Sequence, residues 1–252
     1  MDKIEFIRNH IEKLDINISE EQCCQFLKYY EMLVEKNKVM NLTGITEFEE
    51  VVEKHFVDSL SLVKSIKLNG DESLIDVGTG AGDSFKSCCK GIRIWFPGIP
   101  IKIMFPNLKI TLMDSLNKRL LFLNEVINKL GLDKIELVHG RAEDLGKNSN
   151  YREKYDLCVS RAVANISTLS EYCIPFIKLN GYFICYKADG CMNEINIGKN
   201  AIKVLGGEIE EIVDFNLPDT DIKRKIINIK KIKNTPKKYP RKPGLPSKEP
   251  II

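Results

Sequence analysis

Residues 74–82 read Leu-Ile-Asp-Val-Gly-Thr-Gly-Ala-Gly, a short apolar run followed by three glycines at alternate positions. No other stretch of the chain is as well suited to hold a small molecule. Glycine adopts backbone angles closed to other residues and lets a ligand approach the main chain closely. A glycine loop directly after a buried strand is the first turn of a nucleotide-binding α/β unit. Asp76 stands two residues before Gly78, with Gly80 and Gly82 following, so the order is D-x-G-x-G-x-G. Dinucleotide dehydrogenases have G-x-G-x-x-G instead, with their ribose carboxylate on the next strand. The plainer alternative is a tight turn that serves packing only, although three spaced glycines are an entropically costly way to build one.

Four more places could carry chemistry. Asp114 ends an apolar run, where a carboxylate accepts hydrogen bonds from ribose hydroxyls, each worth about 1.5–3 kcal/mol because the acceptor is charged. Its alternative role is to cap the helix that starts at Ser115. Gly140-Arg141-Ala142-Glu143-Asp144 follows the next apolar run and reads as a polar turn opening a short helix. Arg161 stands at the end of a further run, and arginine there is costly unless it meets an anion, a ring or a carboxylate. Lys187 ends the last such run and suits a phosphate or a base, or else is a solvated strand end.

The elements that must position these residues follow from periodicity. Residues 1–66 read as helices: Ile4, Ile7, Ile11 and Leu14 share a face, as do Cys23, Phe26, Leu27, Tyr30, Leu33 and Val34. Ser19 to Gln22 and Thr46 to Glu49 are capping boxes. Residues 38–44 read as a loop. From Ser73 strands alternate with helices: strands over 73–77, 109–114, 135–139, 155–160 and 181–187, helices over 117–130, 166–177 and 193–205. Two late strands over 208–215 and 225–232 are close enough to pair antiparallel. Continuous apolar strands belong to a parallel sheet covered on both faces, and ligands in such sheets bind outside the carboxyl ends. The chain is thus α/β, a Rossmann-like, mostly parallel sheet of about seven strands with an antiparallel end. We divide it into an N-terminal helical cap (1–66), a cofactor-binding domain (67–235) and a basic, proline-rich extended tail (236–252).

Composition narrows the class. No run of about twenty apolar residues predicts a membrane span, and the charged start Met1-Asp2-Lys3-Ile4-Glu5 does not resemble a signal peptide, so a cytoplasmic location is expected. Eight cysteines without a C-x-x-C, and three scattered histidines, His10, His55 and His139, predict buried free thiols and no metal site. Residues 223–252 hold eleven Lys or Arg against one acid, which leaves 27 basic and 34 acidic residues, a formal −7, in the remainder. A basic end on an acidic protein reads as a contact for a polyanion; a solvated, solubilising tail is the alternative.

Several motifs together closely resemble one family. They are Asn41-Leu42-Thr43, His55-Phe56-Val57-Asp58-Ser59-Leu60, the motif from Asp76 to Gly82, Phe96-Pro97-Gly98-Ile99-Pro100, and Asp114 through Arg119. Arg141-Ala142-Glu143-Asp144, Ser160-Arg161-Ala162 and the segment from Arg241 to Lys248 complete the set. Their order and spacing resemble the RsmG (GidB) family, the bacterial 16S ribosomal RNA guanine-N7 methyltransferases, over nearly the whole chain. The resemblance implies methyl transfer from S-adenosylmethionine (SAM) to N7 of one guanosine in the 530 loop of 16S rRNA, naked or within the 30S subunit, by a monomer. It implies cofactor contacts from Gly78, Phe96, Ala142, Glu143 and Arg161, beside Asp76, Gly80, Gly82 and Asp114 from the motif itself. An acidic residue or an amide at 142–143 would meet the adenine. Asn41–Thr43 and the His55/Asp58 segment would border the substrate, and the tail would contact RNA backbone.

No general base is identified; Arg161, Lys187, His55 and Asn41 are positioning candidates. The chain lacks the Asn/Asp-Pro-Pro-aromatic motif of exocyclic-amine methylation and the Pro-Cys nucleophile of cytosine-C5 methylation, and Cys158 reads as core. Guanine N7 already carries a free lone pair, so transfer needs position and in-line geometry more than a base.

The chain departs from the family pattern at one place. Thirteen residues, 83–95, stand between Gly82 and Phe96, and without them the Asp76–Asp114 spacing falls from 38 to 25. The segment reads as a surface excursion, a flap, an added RNA contact through Lys86, Lys90 and Arg93, or a lesion. The last would leave a non-catalytic or weakened RNA-binding relative.

Overall fold

A computed structural model describes residues 2–40, 44–78, 97–161 and 164–252. Helices α1 (Lys3–Glu12) and α2 (Glu20–Met40) open the chain. Ser19 and Gln22 form the expected capping box, each bonding the other's backbone amide, at 3.2 and 2.9 Å. The second box does not form. Helix α3 (Phe48–Val51) starts at Phe48 with no side-chain cap, and the Thr46 carbonyl instead accepts the Tyr30 hydroxyl. The chain then runs through a π-helical turn, Val52–Val57, into α4 (Asp58–Leu60) and a 3-10 turn, Ser61–Lys64. Ile7, Ile11, Phe26, Leu33 and Phe56 are buried between these helices and one face of the sheet.

Seven strands make one sheet: β1 (Ser73–Gly78), β2 (Lys109–Asp114), β3 (Ile135–His139), β4 (Tyr155–Arg161), β5 (Ile177–Ala188), β6 (Gly207–Asn216) and β7 (Lys223–Lys231). Their order is β3-β2-β1-β4-β5-β7-β6. The first five are parallel, and β7 is antiparallel to both β5 and β6. Register brings Gly78, Asp114 and His139 side by side at the carboxyl edge. The crossovers use α5 (Gly98–Met104), α6 (Asn117–Leu130), α7 (Ala142–Leu145), α8 (Ile166–Cys173) and α9 (Met192–Val204). Strands β2 and β3 and helix α6 span the residues expected of them.

Strand β5 is longer than expected. Tyr155 pairs with Ile177 and Leu157 with Tyr182, so residues 178–181 form a bulge in which Lys178, Leu179 and Asn180 are exposed, with Asn180 at φ 65°. The bulge hides the strand's alternation over 178–181. The C-terminal segment also differs from an extended tail. It contains one short helix, α10 (Leu245–Lys248), and buries Pro240 and Pro246.

Helix α5 is seated by its first residue. The Gly98 amide donates to Asp76 Oδ2 at 2.8 Å. A Cβ on Gly98 would collide with Leu112 Cδ2 and lie 2.8 Å from Asp76 Oδ2. The backbone here approaches β1 and β2 too closely for any side chain. Gly98→Ala should therefore cost about 1–3 kcal/mol by overpacking, read as a lower urea midpoint with an unchanged m-value.

Candidate functional site

The carboxyl edge gathers six of the sequence-predicted residues. Gly78 ends β1, Asp114 ends β2, Ala142 and Glu143 begin α7 directly after β3, Arg161 ends β4 and Lys187 lies one residue from the end of β5. Asn41, Gly80, Gly82 and Phe96, with the 83–95 segment, lie outside the described residues. A separate open hollow of about 340 Å³ lies at the amino ends of the strands, lined by Ser73, Thr111, Glu136 and Tyr155 among others. It is at the opposite edge from every strand-end candidate.

Asp114 is buried. Its Oδ1 accepts the Leu116 amide at 2.7 Å and its Oδ2 the Arg119 guanidinium at 3.0 Å. The carboxylate thus braces the turn before α6 while remaining next to Gly78; it does not cap the helix, which starts at Asn117 with Leu116 at its N-cap position and no side-chain cap bond. Asp76 lies inside the sheet rather than at its edge. Burial pushes its carboxyl up to about 7; the Gly98 amide and the Arg161 charge pull against that rise and Asp114 adds to it.

Arg161 meets a carboxylate. Its Nη1 donates to Asp58 Oδ2 at 2.9 Å and to the Lys54 carbonyl at 3.3 Å, and its Nη2 lies 3.4 Å from His55 Nδ1. A guanidinium has no lone pair to offer, so His55 Nδ1 is the acceptor. Burial first, then the Arg161 charge, lowers the His55 pKa to about 3 and keeps the ring neutral. The π-helical turn supplies two of these partners, Lys54 and His55, and the first residue of α4 supplies the third, Asp58. Asp58 also takes Arg224 Nε from β7 on Oδ1 at 3.1 Å, so one buried carboxylate holds two arginines.

Lys187 is engaged with protein rather than open to a ligand. It donates to the Ala164 carbonyl at 2.7 Å and to Glu194 Oε1 at 2.5 Å. Glu194 also takes the Ile166 amide, which ties the β4–α8 connection to α9. Glu143 is buried, and its Oε1 accepts the Gly244 amide at 2.9 Å.

Sequence reasoning missed Arg224, Arg119, Glu194 and Gly244. Arg119 lies five residues from its partner within a quoted motif, a local signal that was available. Arg224 meets Asp58 across 166 residues, and no local pattern marks that contact.

The strand order and the carboxyl-edge cluster define a Rossmann-like α/β protein with an antiparallel end. An MtNAS mutant structure shares this fold at a TM-score of 0.51 and 13% identity, over 92% of this chain and 83% of that one. The model for the GidB family, rRNA small subunit methyltransferase G, matches residues 22–226. Ribosomal RNA small subunit methyltransferase G of Lachnoclostridium phytofermentans is 50% identical over 96% of this chain and 95% of its own. That of Alkaliphilus metalliredigens is 50% identical over 97% of each. The chain belongs to this methyltransferase family. Among the described residues, no helix is long and apolar enough to cross a membrane.

The Asp76 environment yields a pH test. The folded value, about 7, exceeds the ordinary aspartate value of 3.8, so between about pH 4 and 7 the native state holds a proton that the unfolded chain has released. The contribution is full below that window and is lost as pH climbs through 7. Asp76→Asn does not titrate. The melting temperature of the variant minus that of the parent should therefore rise from pH 5 to pH 8. A pH-independent difference would mean that Asp76 ionises in the native state as it does unfolded.

Proposed function

We propose that this chain transfers the methyl group of SAM to N7 of a guanosine in the 530 loop of 16S rRNA, presented by the 30S subunit, and that it works as a cytoplasmic monomer. Family membership supports the ribosomal RNA and methyltransferase parts of this reading. One observation supports N7 in particular: Arg161, Lys187, Asp114 and His55, four ionisable groups at or beside the carboxyl edge, are committed to protein partners or held neutral. Arg161 is held by Asp58, Lys187 by Glu194 and Asp114 by Arg119, and His55 is buried and neutral. Such an edge suits an acceptor that needs no deprotonation.

The residues fit SAM. Gly78 brings bare backbone to the edge, Asp114 sets a carboxylate beside it, and Glu143 Oε2 makes no hydrogen bond among the described residues. Gly78, Asp114, Ala142, Glu143 and Arg161 would hold the cofactor, together with Asp76 through α5 and with Gly80, Gly82 and Phe96. Bound SAM supplies an electrophilic methyl on a sulfonium. Transfer of that methyl to the N7 lone pair would break the S–C bond and return its pair to sulfur, so the chain would need no base. No proton moves. The chain's own part is to hold the base in line and to keep Arg161 fixed at the mouth.

RNA would reach this edge across Lys237, Lys238, Lys242 and Lys248, which are exposed. Neutralising four to six phosphates of a single strand would give a slope of log affinity against log salt near −0.7 per phosphate. Incubation with methyl-labelled SAM and 30S subunits, followed by scission at N7-methylguanosine, tests the reading. We expect one labelled guanosine, in the 530 loop. Label on an exocyclic amine or a ribose, or none at all, overturns it.

A further inference from the structure

Residues 235–252 are fastened to α8 and to the end of α7, the helix that opens with the candidate adenine edge, Ala142 and Glu143. Arg152 reaches across with Nη1 on the Gly146 and Tyr239 carbonyls, at 2.7 and 2.8 Å, and Nη2 on the Thr235 carbonyl at 2.7 Å. Pro240 seats so closely on the end of α7 that a Cβ on Gly146 would lie 2.9 Å from Pro240 Cγ. Arg241 then forks onto Glu171 of α8, Nε to Oε1 at 3.0 Å and Nη2 to Oε2 at 2.7 Å, while its backbone amide adds a third bond to Oε1 at 2.7 Å. Glu171 is fully buried, so this pair is an anchor and not a surface charge. Thr168 Oγ1 donates to the Pro246 carbonyl at 3.0 Å.

Between these fixings stands Gly244. Its φ of +83° is a left-handed angle that side chains resist. The angle belongs to the turn whose amide donates to Glu143 Oε1 at 2.9 Å. Glu143 is 6% exposed, and this is its one hydrogen bond among the described residues. A glutamate side chain has three rotatable bonds, and a single charge-assisted bond removes most of that freedom.

We propose that residues 239–249 are a strap that orients the cofactor site. Gly244 is a positioning residue: it holds one oxygen of Glu143 so that the other stays at the carboxyl edge, ready to accept an amino-group proton of the SAM adenine. Arg241 acts one step further back, by holding the strap on Glu171. This rests on the SAM reading above and goes beyond it. The basic end of the chain has a cofactor role that its charge does not suggest, and Arg241 anchors the strap to protein rather than contacting RNA.

Two variants of the full protein separate the readings. Arg241→Ala releases the anchor. A chain ending at Lys242 keeps Arg241 on Glu171 but loses the Gly244 donor, and it decides the matter should the unpaired Glu171 prevent the first variant from folding. Calorimetric titration with SAM should show Kd raised about tenfold in either, a coupling of ordinary size. With 30S substrate, KM for SAM should rise while kcat at saturating SAM stays within about twofold, a split that a general loss of structure would not give. Arg241→Lys should recover only part of the affinity, because an ammonium cannot make the fork. If the parent binds SAM and both variants bind it equally well, the strap has no cofactor role. If the parent does not bind SAM, the cofactor reading and the strap fall together.

Discussion

One buried carboxylate ties the molecule together. Asp58 lies where the N-terminal helices meet the sheet, and it takes Arg161 from the end of the parallel half and Arg224 from the antiparallel half. A buried ion costs several kcal/mol in lost hydration, so such a pair is kept only when geometry and hydrogen bonds are good. Here they are: each oxygen takes a guanidinium nitrogen, at 2.9 and 3.1 Å, and the Arg161 fork is shared with a backbone carbonyl and a neutral imidazole. Taking away one partner would leave a buried charge unmatched, a loss of about 3–5 kcal/mol. The position of Arg161 at the mouth of the sheet therefore depends on the helical cap being in place.

The same logic runs along the rest of the edge. Asp76 is spent on seating α5, Asp114 on bracing the turn into α6, and Glu194 on joining Lys187 to the Ile166 amide. The charged residues act first as fixings for the loops between strand and helix. A site assembled in this way is preorganised, and it has little acid–base capacity left. That division suits chemistry whose barrier is met by alignment rather than by moving a proton.

Much of this was legible from residue patterns because the signals are local. Parallel strands buried on both faces are continuous apolar runs, and β2, β3 and α6 appear where those runs lie. The Ser19–Gln22 cap needs four residues and was readable from four. The failures come from partners distant in sequence. Thr46 is the local exception: it did not cap because the helix begins at Phe48, which puts Glu47 rather than Thr46 at the N-cap position. The outward bulge of β5 is set by pairing with β4, not by its own alternation. The C-terminal segment has the composition of a solvated tail, and partners far upstream, among them the buried Glu171 and Glu143 some 70 and 101 residues away, make it a packed element. At the edge, residue type and strand-end position were enough to bring Gly78, Asp114, Glu143 and Arg161 together, but not to say which partner each would hold.

The link between Asp58 and Arg224 also has a history in time. The two are 166 residues apart, and at about 5–20 residues per second of synthesis the second emerges roughly ten to thirty seconds after the first. Strand β7, which carries Arg224, inserts between β5 and β6, so the sheet is incomplete until β7 has been made. Throughout that interval Asp58 lacks one of its two cations, and the helical cap has reason to stay loosely docked and hydrated. Locking of the cap onto the sheet is thereby deferred until β7 has been made, when a single strand joins β5 to β6 and brings the second cation to a buried acid in the same step.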